Sequence, residues 1–282
     1  MSSDHSLRAL LSSTVLPANE ARILLGFILE KHCQLPRSAL LSRDDMTLNL
    51  DALAEWQSLT FRRASGEPIA YLIGKKGFHA IELMVAPGVL IPRPETELLV
   101  DLALAEIESL KRPVSVLDLG TGSGAIALAI AHGAPQAALT ATDLSVDALA
   151  IARDNADSLG LQGRVHFLHG SWYEPLELDA PFDIIVSNPP YIVAQDPHLS
   201  QGDLRFEPLT ALTDAGSGLS CLEAIISGAA QYLKPEGLLA VEHGFDQSEA
   251  VVGLMQSSGF QAIQVHFDLA GHCRAVSGRK KS

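Results

Sequence analysis

The chain predicts an α/β protein in which a doubly wound, mostly parallel sheet follows a small helical bundle. Three observations carry that expectation. From Pro94 onward, short apolar runs alternate with stretches of helical period. Up to Gly74 the apolar residues recur at helical spacing alone. Of the 282 residues 47% are hydrophobic but only 5% aromatic, which suits a sizeable helix-rich or α/β core better than an all-β one. A chain of this length suggests about two domains.

In order along the chain, Leu7, Leu10 and Leu11 mark a first helix, and Ala21, Leu24, Leu25, Ile28 and Leu29 a second. Pro17 and Pro36 fall near helix starts, where the missing N–H is harmless. Leu48 to Arg63 predicts another helix, and Glu67-Pro68 opens a short one. Residues 1–74 are thus expected to form the bundle. Gly74, Gly77, Pro87, Gly88, Pro92 and Pro94 then punctuate short apolar pieces such as Ile81 to Val85, so residues 75–93 read as a β-hairpin connector. Residues 94–282 are expected to carry the sheet. Pro94-Glu95-Thr96-Glu97 starts a helix running to about Leu110, with acids in its first turn. Strands are expected at 114–120, 138–143, 165–168, 182–186, 237–242, 262–267 and 274–277. Helices are expected at 124–131, 146–158, 219–233 and 247–257.

The net charge of −13 disfavours a phosphate backbone as partner, since its binding needs clustered Lys and Arg. The basic tail, Gly278-Arg279-Lys280-Lys281, reads as a solvated terminus. Cys33, Cys221 and Cys273 are far apart and lack the CxxC spacing of a zinc site, so no metal and no disulfide framework is expected. They read as free thiols in a reducing, cytoplasmic setting. Mean hydropathy is +0.20, but the most apolar stretch, Ala125 to Ala141, is broken by His132, Gly133, Pro135 and Gln136. A membrane span needs about 20 nearly unbroken apolar residues. The opening MSSDHSLRALLSS has an early acid and no long apolar core, so no secretory signal is read there and a soluble protein is expected.

The first strand of the alternating region ends in Asp118-Leu119-Gly120-Thr121-Gly122-Ser123-Gly124. Glycines there allow a tight turn and close approach of a ligand at the start of the next helix. Asp143 ends the second strand about 20 residues on, where a carboxylate can accept hydrogen bonds from a ribose. Gly120, Gly122 and Ala125 also satisfy the looser dinucleotide pattern, so an NAD reading must be weighed. Asp118 discriminates, because a carboxylate just before the glycines would repel a pyrophosphate and welcome a cation. S-adenosylmethionine carries a sulfonium and an ammonium and no phosphate. Trp172, just after the third strand, can pack beside an adenine face.

The fourth strand, Phe182 to Val186, runs into Ser187-Asn188-Pro189-Pro190-Tyr191. Two prolines cannot donate ladder hydrogen bonds, so the strand ends at about Asn188. The Asn188 side-chain oxygen and the Pro189 carbonyl are two acceptors at fixed separation, suited to both hydrogens of one NH₂ group. The Asn188 NH₂ can meanwhile donate to a substrate carbonyl, and Tyr191 can pack on a planar group. Gripping both N–H bonds directs a delocalised nitrogen lone pair at an electrophile. Such positioning can lower a barrier by roughly 7–11 kcal/mol in the best cases.

This NPPY elbow behind a DLGTGSGAIA loop resembles class I, Rossmann-like S-adenosylmethionine-dependent methyltransferases acting on planar NH₂ groups. GEPIAYLIG (66–74), LIPRPETE (90–97), FEPLTAL (206–212), EHG (242–244) and RAVSGR (274–279) narrow the likeness. Nearly the whole chain resembles the PrmC/HemK family, which methylates glutamine N5 in peptide chain release factors. The resemblance implies a sheet whose last strand is antiparallel. It implies methyl transfer to the glutamine of the Gly-Gly-Gln loop of class I release factors, which modulates translation termination, with S-adenosylhomocysteine as by-product. It implies Asn188, Pro189, Pro190 and Tyr191 as substrate contacts, with Asn188, Pro189 and Tyr191 catalytic. Asp118, Gly120, Thr121, Gly122, Ser123, Gly124, Asp143, Trp172 and Asn188 are the implied cofactor contacts. The helices of 1–74 are expected to recognise the release factor, and the protein to be monomeric with no nucleic-acid or membrane partner.

Arg93 and Glu95 read as fixing the connector rather than closing the cofactor pocket, and Glu207 with Pro208 as bracing a loop over the site. Glu242 and His243 end the fifth strand near the site, with His243 a structural hydrogen-bonding residue rather than a proton acceptor. His166 and His169 suggest no metal. The competing enzymatic reading, adenine-N6 or guanine-N2 methylation of a nucleic acid through the same elbow, requires a basic channel. A non-catalytic binding module would be expected to lose Asn188 or the glycine loop.

Overall fold

Residues 5–178 and 180–282 are described by a computed structural model. Residues 1–4, on which the reading of the opening segment partly rests, lie outside the described residues. The chain divides into two compact units, Met1–Gly74 and Lys75–Ser282.

The first unit is helical: α1 (Leu7–Ser13), α2 (Ala18–Cys33), α3 (Ala39–Ser42), α4 (Leu50–Ala64) and α5 (Ile69–Ile73). Polar caps set the starts. Ser6 Oγ accepts from Ala9 N, and Asn49 Oδ1 accepts from Ala52 N at 2.9 Å. Gly74, at φ +73°, ends α5 in the left-handed conformation that only glycine adopts cheaply. The apolar stripe of α2 (Leu24, Leu25, Ile28, Leu29) packs with Trp56 and Leu59 of α4. Each fully buried large side chain contributes roughly 1.5–3 kcal/mol. The bidentate pair Arg63–Glu20, both bonds 2.8 Å, ties α4 to α2 at the rim. The four-residue α3 begins just after Pro36, where a helix start is expected, but a single turn shows no periodicity that would bound it.

The second unit opens with the hairpin β1 (Lys75–Phe78) and β2 (Ile81–Met84). A 3₁₀ turn, Pro94–Thr96, leads into α6 (Glu97–Leu110). There follow β3 (Val114–Leu119), α7 (Ala125–Gly133), β4 (Ala137–Asp143), α8 (Val146–Ser158), β5 (Val165–His169) and β6 (Phe182–Ser187). The chain closes through α9 (Leu209–Leu212), α10 (Ser220–Tyr232), β7 (Leu233–Glu242), α11 (Ser248–Ser257), β8 (Gln261–Phe267) and β9 (Cys273–Arg279).

The seven-stranded sheet has the order β5-β4-β3-β6-β7-β9-β8. β3, β4, β5, β6 and β7 pair in parallel, while β9 runs antiparallel to both β7 and β8. This is the doubly wound architecture with an antiparallel last strand that the sequence implies. Alternate residues of the central strands feed the two faces. Val116, Ile184, Val186 and Ala240 join α6 and α7 in one core, whereas Leu117, Leu119, Ile185 and Val241 join α10 and α11 in the other. Phe78, Ile81 and Leu83 bring the hairpin into the first of these cores.

The ends of the strands are pinned by buried polar groups. Asp183 accepts from Ser115 N (2.8 Å), Arg112 (2.6 Å) and Lys234 (2.8 Å) at the start of β6. Asn155 of α8 donates to both Met84 O and Ser123 O, latching the hairpin to the loop after β3. Arg279, expected at a solvated end, instead closes β9 with two bonds to Glu106 of α6. Among the described residues, no helix is long and apolar enough to cross a membrane.

Candidate active site

Strand order reverses around β3, which has β4 on one side and β6 on the other. In such sheets the carboxyl ends of the strands leave a crevice for a ligand. A cavity of about 610 Å³ lies there, within the size range of small-molecule sites. Gly120, Thr121, Gly122, Ser123, Asp143, Trp172, Asn188 and Pro190 are on its wall. Asp118, Gly124, Pro189 and Tyr191 are not.

The glycine loop is held by its neighbour strand. Gly120 N and Thr121 N both donate to Thr142 O, at 2.9 and 3.0 Å. Gly122 sits at φ +56°, and a Cβ added to it would meet no protein atom within 4 Å. Asp143 Oδ2 accepts from Gly122 N at 2.8 Å and Oδ1 from Ser145 N at 2.8 Å. Burial raises the Asp143 pKa against those backbone donors. The Trp172 indole edge lies over Gly120, 3.2 Å from where a Cβ would stand, so a side chain there would displace the ring.

Asp118 lies fully buried beneath the loop. Its Oδ2 accepts from Thr121 Oγ1 (2.6 Å) and Ala127 N (3.2 Å), and Oδ1 has no partner among the described residues. Burial pushes its pKa up to about 7, and the Asp143 charge adds to the rise. The ionisable residues lining the cavity are Arg93, Asp143, Asp214 and Cys221, and the Arg93 guanidinium is bound to Glu207. A pyrophosphate would meet carboxylates and one committed cation. A ligand carrying positive charge and a ribose suits this donor set, so the residues present fit S-adenosylmethionine.

Asn188 enters from the other side. Ser187 of β6 registers with Leu119 of β3 and donates from Oγ to Leu119 O at 2.7 Å, so the residue after it stands next to the glycine loop. Asn188 Nδ2 donates to Thr96 Oγ1 at 3.0 Å. Pro189 is buried. Tyr191 turns into the core. Its hydroxyl donates to Glu242 Oε1 at 3.0 Å, and its carbonyl accepts from Gln247 Nε2 at 3.0 Å. The outgoing chain is stitched down where Ile192 N donates to Leu212 O.

Glu207 is the hub of one wall. It accepts from Ile91 N at 3.0 Å and pairs with Arg93, joining segment 88–93 to segment 208–215. His243 donates from Nδ1 to Gly244 O at 2.7 Å, and burial lowers its pKa. It is not on the cavity wall.

The PrmC N-terminal domain family matches residues 6–74, and the Methyltransferase small domain family matches residues 96–203. A release factor glutamine methyltransferase of Bordetella pertussis is 47% identical over 272 residues, covering 96% of this chain and 98% of that one. Its counterpart in Xylella fastidiosa is 49% identical over 243 residues, covering 86% and 87%. The chain belongs to the release factor glutamine methyltransferase family. A solved 16S rRNA N2 methyltransferase of T. thermophilus, bound to AdoMet and guanosine, shares the fold. It superposes with a TM-score of 0.56 at 21% identity, over 73% of this chain and 50% of that one.

Against this family frame, sequence reasoning missed Thr96 as the partner of Asn188, and missed the wall formed by Thr210, Ala211, Thr213, Asp214 and Cys221. Thr96 had a faint signal, as the one hydroxyl between Pro92 and Glu97. The wall residues are spread over α9, the loop after it and the first turn of α10, and only the fold brings them to the cavity.

Proposed function

We propose that this chain transfers a methyl group from S-adenosylmethionine to the side-chain amide nitrogen of the Gly-Gly-Gln glutamine in class I peptide chain release factors. The arrangement of Asn188 carries the reading. Its Nδ2 is taken by Thr96 and its side chain lines the cavity beside Gly120, which leaves the carbonyl end free to accept from a substrate amide.

When bound, S-adenosylmethionine supplies an electrophilic methyl group on a sulfonium. The backbone around Gly120 to Gly124, the carboxylate of Asp143 and the indole of Trp172 are the residues that would hold it. Asn188 Oδ1 and the Pro189 carbonyl accept the two N–H bonds of the glutamine amide. With both hydrogens engaged, the nitrogen lone pair is directed along one line, and no strong base is needed before transfer. Afterwards the nitrogen carries a surplus proton acidic enough to pass to water. Tyr191 acts from behind: it holds the elbow through Glu242 rather than facing the amide.

The net charge of −13 supports a protein substrate over naked nucleic acid. Residues 1–74 are assigned to release-factor recognition, residues 75–93 to the connecting hairpin and residues 94–282 to the chemistry. The working protein is a cytoplasmic monomer. Incubating the purified chain with methyl-labelled S-adenosylmethionine and a purified release factor, followed by mass spectrometry, tests the proposal. One methyl group on the Gly-Gly-Gln glutamine is expected. Label on nucleic acid alone, or no label, would overturn it.

A further inference from the structure

Thr96 closes the 3₁₀ turn before α6 and is 4% exposed. A hydroxyl has one hydrogen and two lone pairs. Having accepted from Asn188 Nδ2, Thr96 Oγ1 has its own hydrogen to place, and Thr96 has no bulk water to receive it. The neighbouring acceptor is Glu242, 2% exposed at the end of β7. Glu242 Oε1 takes the Tyr191 hydroxyl, while Oε2 has no hydrogen-bond partner among the described residues. Burial raises the Glu242 pKa, and the Thr96 and Tyr191 hydroxyls oppose that rise.

A carboxamide is nearly symmetric in shape, so its partners decide which end faces where. We infer that Thr96 is a positioning residue for the proposed methyl transfer: its oxygen holds Nδ2 of Asn188 inward and so presents Oδ1 to the cavity. The reverse arrangement needs Thr96 to donate toward Asn188 Oδ1. That would turn an NH₂ group toward the substrate NH₂. The bond between the two runs from Asn188 Nδ2 to Thr96 Oγ1. Tyr191, three residues beyond Asn188, donates to the Glu242 carboxyl, so the two ends of the elbow are held by Thr96 and by Glu242.

This inference rests on the reading of Asn188 as the amide-gripping residue, and its test separates the two. Thr96→Val keeps the shape and removes the hydroxyl, and Thr96→Ser restores it. On an active wild-type enzyme, Thr96→Val is expected to lower kcat about tenfold, the worth of one oriented hydrogen bond. Affinity for S-adenosylmethionine should stay within about twofold, and Thr96→Ser should recover most of the rate. A Thr96→Val enzyme with wild-type kcat would overturn the assignment.

A second readout needs no substrate. In NMR spectra of the isotopically labelled protein, the Asn188 side-chain NH₂ should be shifted and slow to exchange in wild type and Thr96→Ser, and lose both features in Thr96→Val. Unchanged Asn188 signals would sink the inference even if wild type methylates no release factor. Should Thr96→Val fail to fold, Thr96→Ala serves instead, since it also removes the hydroxyl and adds no bulk. It should lower kcat and perturb the same NH₂ signals, and an unperturbed pair of signals would overturn the inference.

Discussion

Asn188 and Thr96 stand 92 positions apart in the chain and share a hydrogen bond of 3.0 Å. That bond joins the start of α6 to the end of β6, so the elbow is braced by an element that precedes the sheet. Removing the Asn188 amide leaves the glycine loop and Asp143 untouched, because their hydrogen bonds run to β4 and α8. Asn188→Ala is expected to lower kcat by at least about 100-fold, as for loss of an oriented polar group at a reacting centre. Binding of S-adenosylmethionine by calorimetry should stay largely intact. Full activity in the release-factor assay would remove Asn188 from the site.

Gly122 supports a prediction about the cofactor alone. A Cβ there would point into open space on the cavity wall, so the fold itself has room for it. The strain of placing an L-residue at φ +56° is about 1–2 kcal/mol. Gly122→Ala should therefore cost only modest stability but weaken S-adenosylmethionine binding by about tenfold or more, because the methyl occupies ligand space. Calorimetric titration paired with thermal melting checks this. Wild-type affinity in Gly122→Ala would mean that the ligand does not approach this backbone.

Much of the catalytic unit was legible because its information is local. Ile184, Ile185 and Val186 make a run buried on both faces, and Pro189-Pro190 stops it, so strand and terminus follow from chain chemistry. The glycine loop and Asp143 keep a spacing set by one βαβ unit. Thr96, by contrast, reads only as a helix-start residue, and its partner comes from a strand far along the chain. Tyr191 shows the same limit. An aromatic ring beside Asn188 suggests contact with a flat substrate, yet the elbow turns it toward Glu242 and the core. Side-chain direction after two prolines depends on packing against β7 and the loop at Gln247, which no local pattern encodes.

Arg93 and Glu207 illustrate a brace that the sequence hinted at from both ends separately. The Glu207 side chain is fully buried and pairs with Arg93. Burial raises the Glu207 pKa, and the Arg93 charge is the largest influence opposing that rise. Arg93→Ala strands the carboxyl with the Ile91 N–H. Breaking a buried pair from one side costs on the order of 3 kcal/mol. The melting temperature should fall by roughly 6–10 °C. Cofactor affinity should drop too, since segments 88–93 and 208–215 both line the cavity. Adding Glu207→Gln should recover part of the stability by removing the stranded acid. An unchanged melting temperature in Arg93→Ala would show that the pair does not hold the wall.

Glu242 links the site to pH. Burial pushes its pKa up to about 7 from an ordinary 4.5, opposed by the Thr96 and Tyr191 hydroxyls and the Arg274 charge, with Glu95 adding repulsion. Between pH 4.5 and about 7 the folded protein therefore holds a proton here that the unfolded chain has released. Unfolding free energy then falls as pH rises. The stabilisation is complete below pH 4.5 and gone once pH passes about 7. Asp118, also raised to about 7, acts with the same sign, whereas His243 and His266, lowered by burial, act with the opposite one. The clean measurement is thus the difference between wild type and Glu242→Gln, in which those other groups cancel. By urea unfolding of the ligand-free protein, wild type should lose roughly 3 kcal/mol relative to Glu242→Gln between about pH 4.5 and 7.5, and run parallel to it above. Curves parallel across the whole range would mean that Glu242 titrates normally and is not the buried acid behind the elbow.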